Sequence, residues 1–103
     1  MSQFDIFENP NARSQPNVPL ILTIQSDHFS NARTTVVIPL VRRWTPDVTT
    51  ALNPTFEVNG ESVTLDPFQI AFLPRIMLGA RVGSLEIERP RIIRAVDALL
   101  SGL

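Results

Sequence analysis

The stretch from Arg89 to Leu103 reads Arg-Pro-Arg-Ile-Ile-Arg-Ala-Val-Asp-Ala-Leu-Leu-Ser-Gly-Leu, and it decides the fold. Ile92, Val96, Leu99 and Leu103 recur at helical spacing, with Ile93 and Leu100 beside them. Such a three-and-four repeat lays one apolar stripe along an α-helix. Pro90 suits a first helical turn, where its missing N–H has no partner to lose. Gly102 stands where helices commonly stop, because glycine enters the left-handed region without a Cβ clash. The spacing predicts a helix that runs to the end of the sequence and presents its last side chains as a free tip.

Working outward, the pattern changes to short apolar runs broken by Pro, Asn and Gly. Gln3–Phe7 alternates apolar and polar residues and reads as a first strand. Pro19–Gln25 and Arg33–Val41 are rich in β-branched residues and read as the next two. Pro39 predicts that the third strand ends there or bulges at a sheet edge. Thr55–Val58 and Ser62–Leu65 flank Asn59-Gly60, a dipeptide that takes the positive φ values of a type I′ hairpin turn at little cost. Phe68–Leu73 reads as another strand. Gly79 and Gly83 bracket a turn-rich tract before the helix. Glu8–Val18 and Arg42–Asn53 read as loops, the former mobile. The order predicts a mainly β, α+β chain: a small barrel of antiparallel strands with a C-terminal α-helix, in one domain over residues 1–103.

Composition narrows the function classes. The hydrophobic share is 44%, too high for a disordered chain. No apolar run approaches the roughly 20 residues of a membrane span, and the opening Met-Ser-Gln-Phe-Asp-Ile-Phe lacks the basic and apolar regions of a signal peptide. Cysteine is absent, which removes disulfides and thiolate metal sites and fits a cytoplasmic setting. The formal net charge is −1, so there is no global pull on nucleic acid, and sequence-specific binding to it is not expected. All the basic residues are arginine, a side chain suited to bidentate contacts at protein interfaces.

Few residues invite chemistry. His28, the only histidine, follows Asp27 and precedes Arg33, a set that could cleave RNA by general acid–base catalysis; a surface turn in which Asp27 caps the backbone explains the same residues. Glu57, Glu61 and Asp66 flank the hairpin and read as solvated charges. Gly79-Ala-Arg-Val-Gly83 lacks the Lys-Ser/Thr of a phosphate loop and reads as a tight turn. Arg42-Arg43-Trp44 reads as a loop with one amphipathic anchor that could clamp a base or an acidic partner. Arg89, Arg91 and Arg94 fall on the polar side of the helix, for solubility or for docking an acidic peptide. No catalytic, metal-binding or cofactor-binding set emerges, and a binding protein is expected rather than an enzyme. The helix carries more apolar width than one core face requires, which predicts a homodimer.

The order of segments carries a resemblance. Gln3-Phe4 opens the first strand, Ile24-Gln25-Ser26-Asp27 closes the second and Val37-Ile38-Pro39-Leu40 the third. Pro54, Phe56, Val58 and Gly60 mark the hairpin. Leu78-Gly79 and Ser84-Leu85 then lead to Arg-x-x-Ile-x-x-Ala-Val-Asp-x-Leu and the final Gly102-Leu103. Over essentially its whole length the chain resembles the CcdB family, the toxin half of a bacterial toxin–antitoxin pair. The resemblance implies an SH3-like barrel and a homodimer. It also implies a toxin that binds the DNA gyrase A subunit, traps the cleaved-DNA complex, and is neutralised by a CcdA-like antitoxin. Carried over residue by residue, the gyrase-binding positions are Asp97, Ser101, Gly102 and Leu103. At Ser101 the family's plasmid-borne prototype has tryptophan, and His28 and Phe29 replace aliphatic residues. The Ser101 departure favours one alternative, a dimer that binds antitoxin without poisoning gyrase; a further alternative, an endoribonuclease toxin like the related toxins on the same barrel that cut RNA, is supported by Asp27, His28 and Arg33.

Overall fold

The computed structural model describes residues 1–42 and 52–102. Its strands are β1 (Asp5–Glu8), β2 (Leu20–Thr23), β3 (Thr34–Val41), β4 (Thr55–Val58), β5 (Glu61–Leu65), β6 (Ala71–Pro74) and β7 (Arg81–Ser84), followed by helix α1 (Arg89–Ser101). Together the strands form one antiparallel sheet in the order β4-β5-β3-β2-β1-β7, with β6 also on β3. β3 is the fork. Its first half, Thr34–Val37, pairs with β6, and its end, Leu40 and Val41, pairs with β5. The sheet thereby curls into a half-barrel closed over by α1, the mainly β, barrel-like fold expected from the sequence.

Period-two alternation explains the core. Ile6, Leu22, Ile38 and Leu40 point to one face, where they bury with Phe4, Phe56, Val63, Leu65 and the helix residues Ile92 and Ala95. Phe7, Ile21 and Val37 alternate to the other face and form a smaller cluster with Met1, Leu73 and Leu78 at its margin. The central strands are therefore apolar on both faces, the pattern of strands covered on both sides.

The hairpin is as expected: Asn59 and Gly60 have φ of 54° and 81°, both positive as a type I′ turn requires. The loop between β1 and β2 is knit around Asn9, whose amide donates to Ser14 Oγ and to the Val18 carbonyl, each at 2.8 Å.

Four expectations are corrected. The first strand starts at Asp5, because buried Phe4 has φ of 69° and leaves the extended region. Pro39 neither ends nor bulges β3: it pairs in register with Ile21, and its carbonyl accepts from Asp66 N at 3.1 Å. Along an extended strand a residue's nitrogen points to the same side as its carbonyl, so the missing N–H faces the gap between β6 and β5 and no ladder bond is lost. Phe68 and Gln69 lie in a 3-10 turn over Pro67–Gln69, seeded by the fixed φ of Pro67, and β6 begins only at Ala71. Finally, the Gly79–Gly83 tract contains strand β7 rather than a tight turn. Phe7 pairs with Arg81 and Ile6 with Gly83, so Val82 is the extra residue of a β-bulge. Two glycines masked a strand, and one of them, Gly79, is required by close approach. A Cβ on Gly79 would lie 2.6 Å from the Glu8 carbonyl oxygen.

Candidate functional site

Helix α1 is held by its first half. Ile92 and Ala95 are buried, and Ile93 and Val96 pack at the edge of the same cluster. Two arginines expected on a polar face add to this anchoring instead of standing free. Arg91 lies 4.7 Å from the Phe56 ring centroid and donates to the Thr55 carbonyl at 3.2 Å. Arg89 lies over Phe4 at 5.3 Å and donates to Gln3 Oε1 at 2.8 Å.

Beyond Val96 no described residue of the helix is buried. Asp97, Ser101 and Gly102 are all exposed, and Leu100 is 74% exposed. The helix stops as its sequence dictates. Gly102 adopts φ of 73° and its N–H reaches the Ala98 carbonyl at 2.9 Å, while Ser101 Oγ donates to the Asp97 carbonyl at 2.6 Å. The Gly102 bond caps the last turn, and the Ser101 hydroxyl adds a side-chain donor to a carbonyl one turn back. Three of the four sequence-predicted positions, Asp97, Ser101 and Gly102, are thus gathered at one exposed tip. Leu103 lies outside the described residues. No cation pairs with Asp97 among the described residues. Leu100 belongs to the same tip; its signal was an apolar residue one place beyond what the helical stripe needs.

The helix also leaves part of its own sheet face bare. Phe72 is the register partner of Val36 and by alternation projects on the helix side, yet it is 72% exposed. Phe72 is thus a large apolar side chain left in water beside the helix.

The candidate chemistry at His28 does not assemble. Asp27, His28 and Phe29 form a 3-10 turn capped by Ser26 Oγ on the His28 N–H at 3.2 Å. The Asp27 carboxylate accepts from the Gln3 N–H at 2.7 Å, so it serves the backbone. Arg33 makes no ion pair among the described residues. The hairpin acids separate too. Glu61 pairs with Arg42 at 2.9 Å, whereas Asp66 is not a solvated charge at all: it is 3% exposed and accepts from the Gln69 amide. Arg43 and Trp44 lie outside the described residues. Among the described residues there is no group of three metal-ligating side chains and no helix long and apolar enough to cross a membrane.

With that geometry in place, comparison with known proteins is informative. The family model described as CcdB protein matches residues 3–102. Among curated proteins no sequence matches. Among solved structures, an endoribonuclease in complex with its cognate antitoxin, from a mycobacterial species, superposes with a TM-score of 0.77. It matches over 100% of this chain and 96% of its own, at 14% identity. At that identity the likeness speaks for the fold, and the family model carries the assignment.

Proposed function

The chain belongs to the CcdB family, toxins of toxin–antitoxin systems, and from that premise we propose that it acts by binding the DNA gyrase A subunit and trapping the gyrase–DNA cleavage complex. The protein acts as a homodimer, with no bond chemistry of its own, and a CcdA-like antitoxin neutralises it. Asp97, Ser101, Gly102 and Leu103 carry the gyrase contact. The single observation that supports this most is the division of α1: its only buried residues, Ile92 and Ala95, lie in its first half, while Asp97, Leu100 and Ser101 in its last turns stand exposed. A protein that only folded would gain by burying that leucine, about 1.5–3 kcal/mol for a full aliphatic side chain. Trapping follows from differential affinity: a tip that fits only an opened enzyme shifts the enzyme's population toward that state. The exposed Phe72 supports a second covering surface, which a twin protomer would supply.

A second reading is favoured by Ser101, whose hydroxyl is turned back onto the Asp97 carbonyl and offers a partner little apolar area. On that reading the dimer and the antitoxin site persist and poisoning is lost. The structural likeness to an endoribonuclease raises a third, against which stands the engagement of Asp27 with the Gln3 backbone. Expression in cells carrying wild-type or toxin-resistant gyrase separates all three. Growth arrest confined to wild-type gyrase is the expected result. Arrest in both strains would move the assignment to RNA cleavage, and arrest in neither to the silent dimer.

A further inference from the structure

The turn between β4 and β5 sets a carboxamide beside an unguarded backbone nitrogen. Asn59 and Gly60 are both exposed, with φ of 54° and 81°. Nothing lies within 4 Å of the place that a Cβ on Gly60 would take, so solvent reaches the peptide between them. The strand ladder closes with Val58 opposite Glu61. The Gly60 N–H, between those two arms, donates to no backbone group among the described residues.

The other asparagines lack this combination. Asn9 and Asn53 precede prolines, which have no N–H to give up, and the Asn9 amide is tied to Ser14 and Val18. Asn11, Asn17 and Asn31 precede Ala, Val and Ala, whose Cβ crowds the approach to the nitrogen as glycine does not. The Val18 N–H is also held by the Ser14 carbonyl at 2.8 Å.

We infer that Asn59-Gly60 is a site of spontaneous covalent modification, a chemical clock that ages the protein through its hairpin. The Gly60 nitrogen, deprotonated by solvent base, attacks Asn59 Cγ. A Cγ–N bond forms, the Cγ–Nδ2 bond breaks, and Nδ2 leaves as ammonia with the proton that Gly60 gave up. Water then opens the cyclic imide. Breaking the Cγ–N bond leaves aspartate on the original backbone. Breaking the bond from the Asn59 carbonyl carbon leaves isoaspartate, whose chain runs through Cβ and Cγ. One water is consumed, one ammonia is released, and nothing is oxidised or reduced.

The two products differ in their consequences. Asp-Gly fits the same type I′ turn. Isoaspartate adds a carbon to the backbone of a two-residue loop, and loop length sets hairpin register. β4 is an edge strand that pairs with β5 alone among the described residues. It carries Phe56 and Val58 into the core, and Phe56 is the ring against which Arg91 anchors α1. The isoaspartate form therefore loosens the seat of the helix whose far end is the exposed tip.

The test incubates wild type and Asn59→Gly in warm, mildly alkaline buffer and maps both by peptide mass spectrometry. Gly-Gly also forms type I′ turns, so this variant keeps the hairpin and lacks the carboxamide. Wild type should gain one mass unit in the peptide that holds Asn59, faster as pH rises and at least tenfold faster than at any other asparagine. Enzymatic methylation specific for isoaspartate should label that peptide alone. The isoaspartate fraction should melt at a lower temperature than Asn59→Asp, which represents the other product. Asn59→Gly should keep its mass at the turn and its melting temperature throughout. An Asn59 that stays unmodified, another asparagine that reacts first, or isoaspartate protein that melts with Asn59→Asp would overturn the proposal. Mass and melting are the readouts, so the result is independent of whether the chain poisons gyrase.

Discussion

Ser101 and Asp97 are tied across one turn of α1: the serine hydroxyl donates to the aspartate carbonyl at 2.6 Å. The bond engages the only polar group of the Ser101 side chain with the helix's own backbone. What the tip offers a partner is therefore the Asp97 carboxylate, the Leu100 side chain and the bare backbone of Gly102. The tip can be altered with little consequence for the core, because the buried residues of α1, Ile92 and Ala95, lie in its first two turns.

Gly79→Ala is expected to destabilise the protein by about 1–3 kcal/mol, the scale of overpacking a filled site. The clashing atom is the backbone oxygen of Glu8 at 2.6 Å, and a strand backbone cannot swing away as a flexible side chain could. Urea denaturation measures it; an unchanged midpoint would mean that the Gly79 segment yields freely.

Arg91→Ala should cost about 1 kcal/mol, combining an exposed cation–π contact with one backbone-directed hydrogen bond. Arg94→Ala is the control, since Arg94 is exposed and makes neither kind of contact. Equal midpoints for the two variants would show that Arg91 contributes only solubility.

His28→Ala should leave toxicity intact. The imidazole sits on an exposed 3-10 turn, and the neighbouring carboxylate holds the Gln3 N–H. Loss of toxicity in a folded variant, accompanied by RNA cleavage by the wild type in vitro, would place general acid–base chemistry at this turn.

Light scattering at micromolar concentration should give twice the chain mass of 11.5 kDa. Phe72 and Leu100 are large apolar groups left in water by the isolated chain, and a second copy is the simplest cover. A clean monomer would remove the dimer from the account.

The terminal helix was legible because three signals agreed: the apolar spacing, Pro90 in the first turn and Gly102 at the stop. The hairpin was legible from Asn59-Gly60 alone. What escaped was long-range. Leu78–Ser84 carries two glycines and reads as turns, yet Gly83 pairs with Ile6 from the far end of the chain. Asp66 looks like a surface charge until β5 delivers it to a buried position beside Gln69. The residues of the tip came from family resemblance, and sequence periodicity supplied only the helix that carries them.

The central claim is that the tip of α1 poisons gyrase, and the most direct measurement is the yield of trapped gyrase–DNA cleavage complexes with purified protein. Three proteins are compared: wild type, a chain lacking Gly102 and Leu103, and Ser101→Trp. Deleting two residues beyond the helix should leave the melting temperature nearly unchanged, since chain termini tolerate such change. It should abolish trapping. Ser101→Trp should increase trapping, because a buried interface aromatic supplies about 2 kcal/mol or more. Undiminished trapping by the truncated, folded protein would contradict the account.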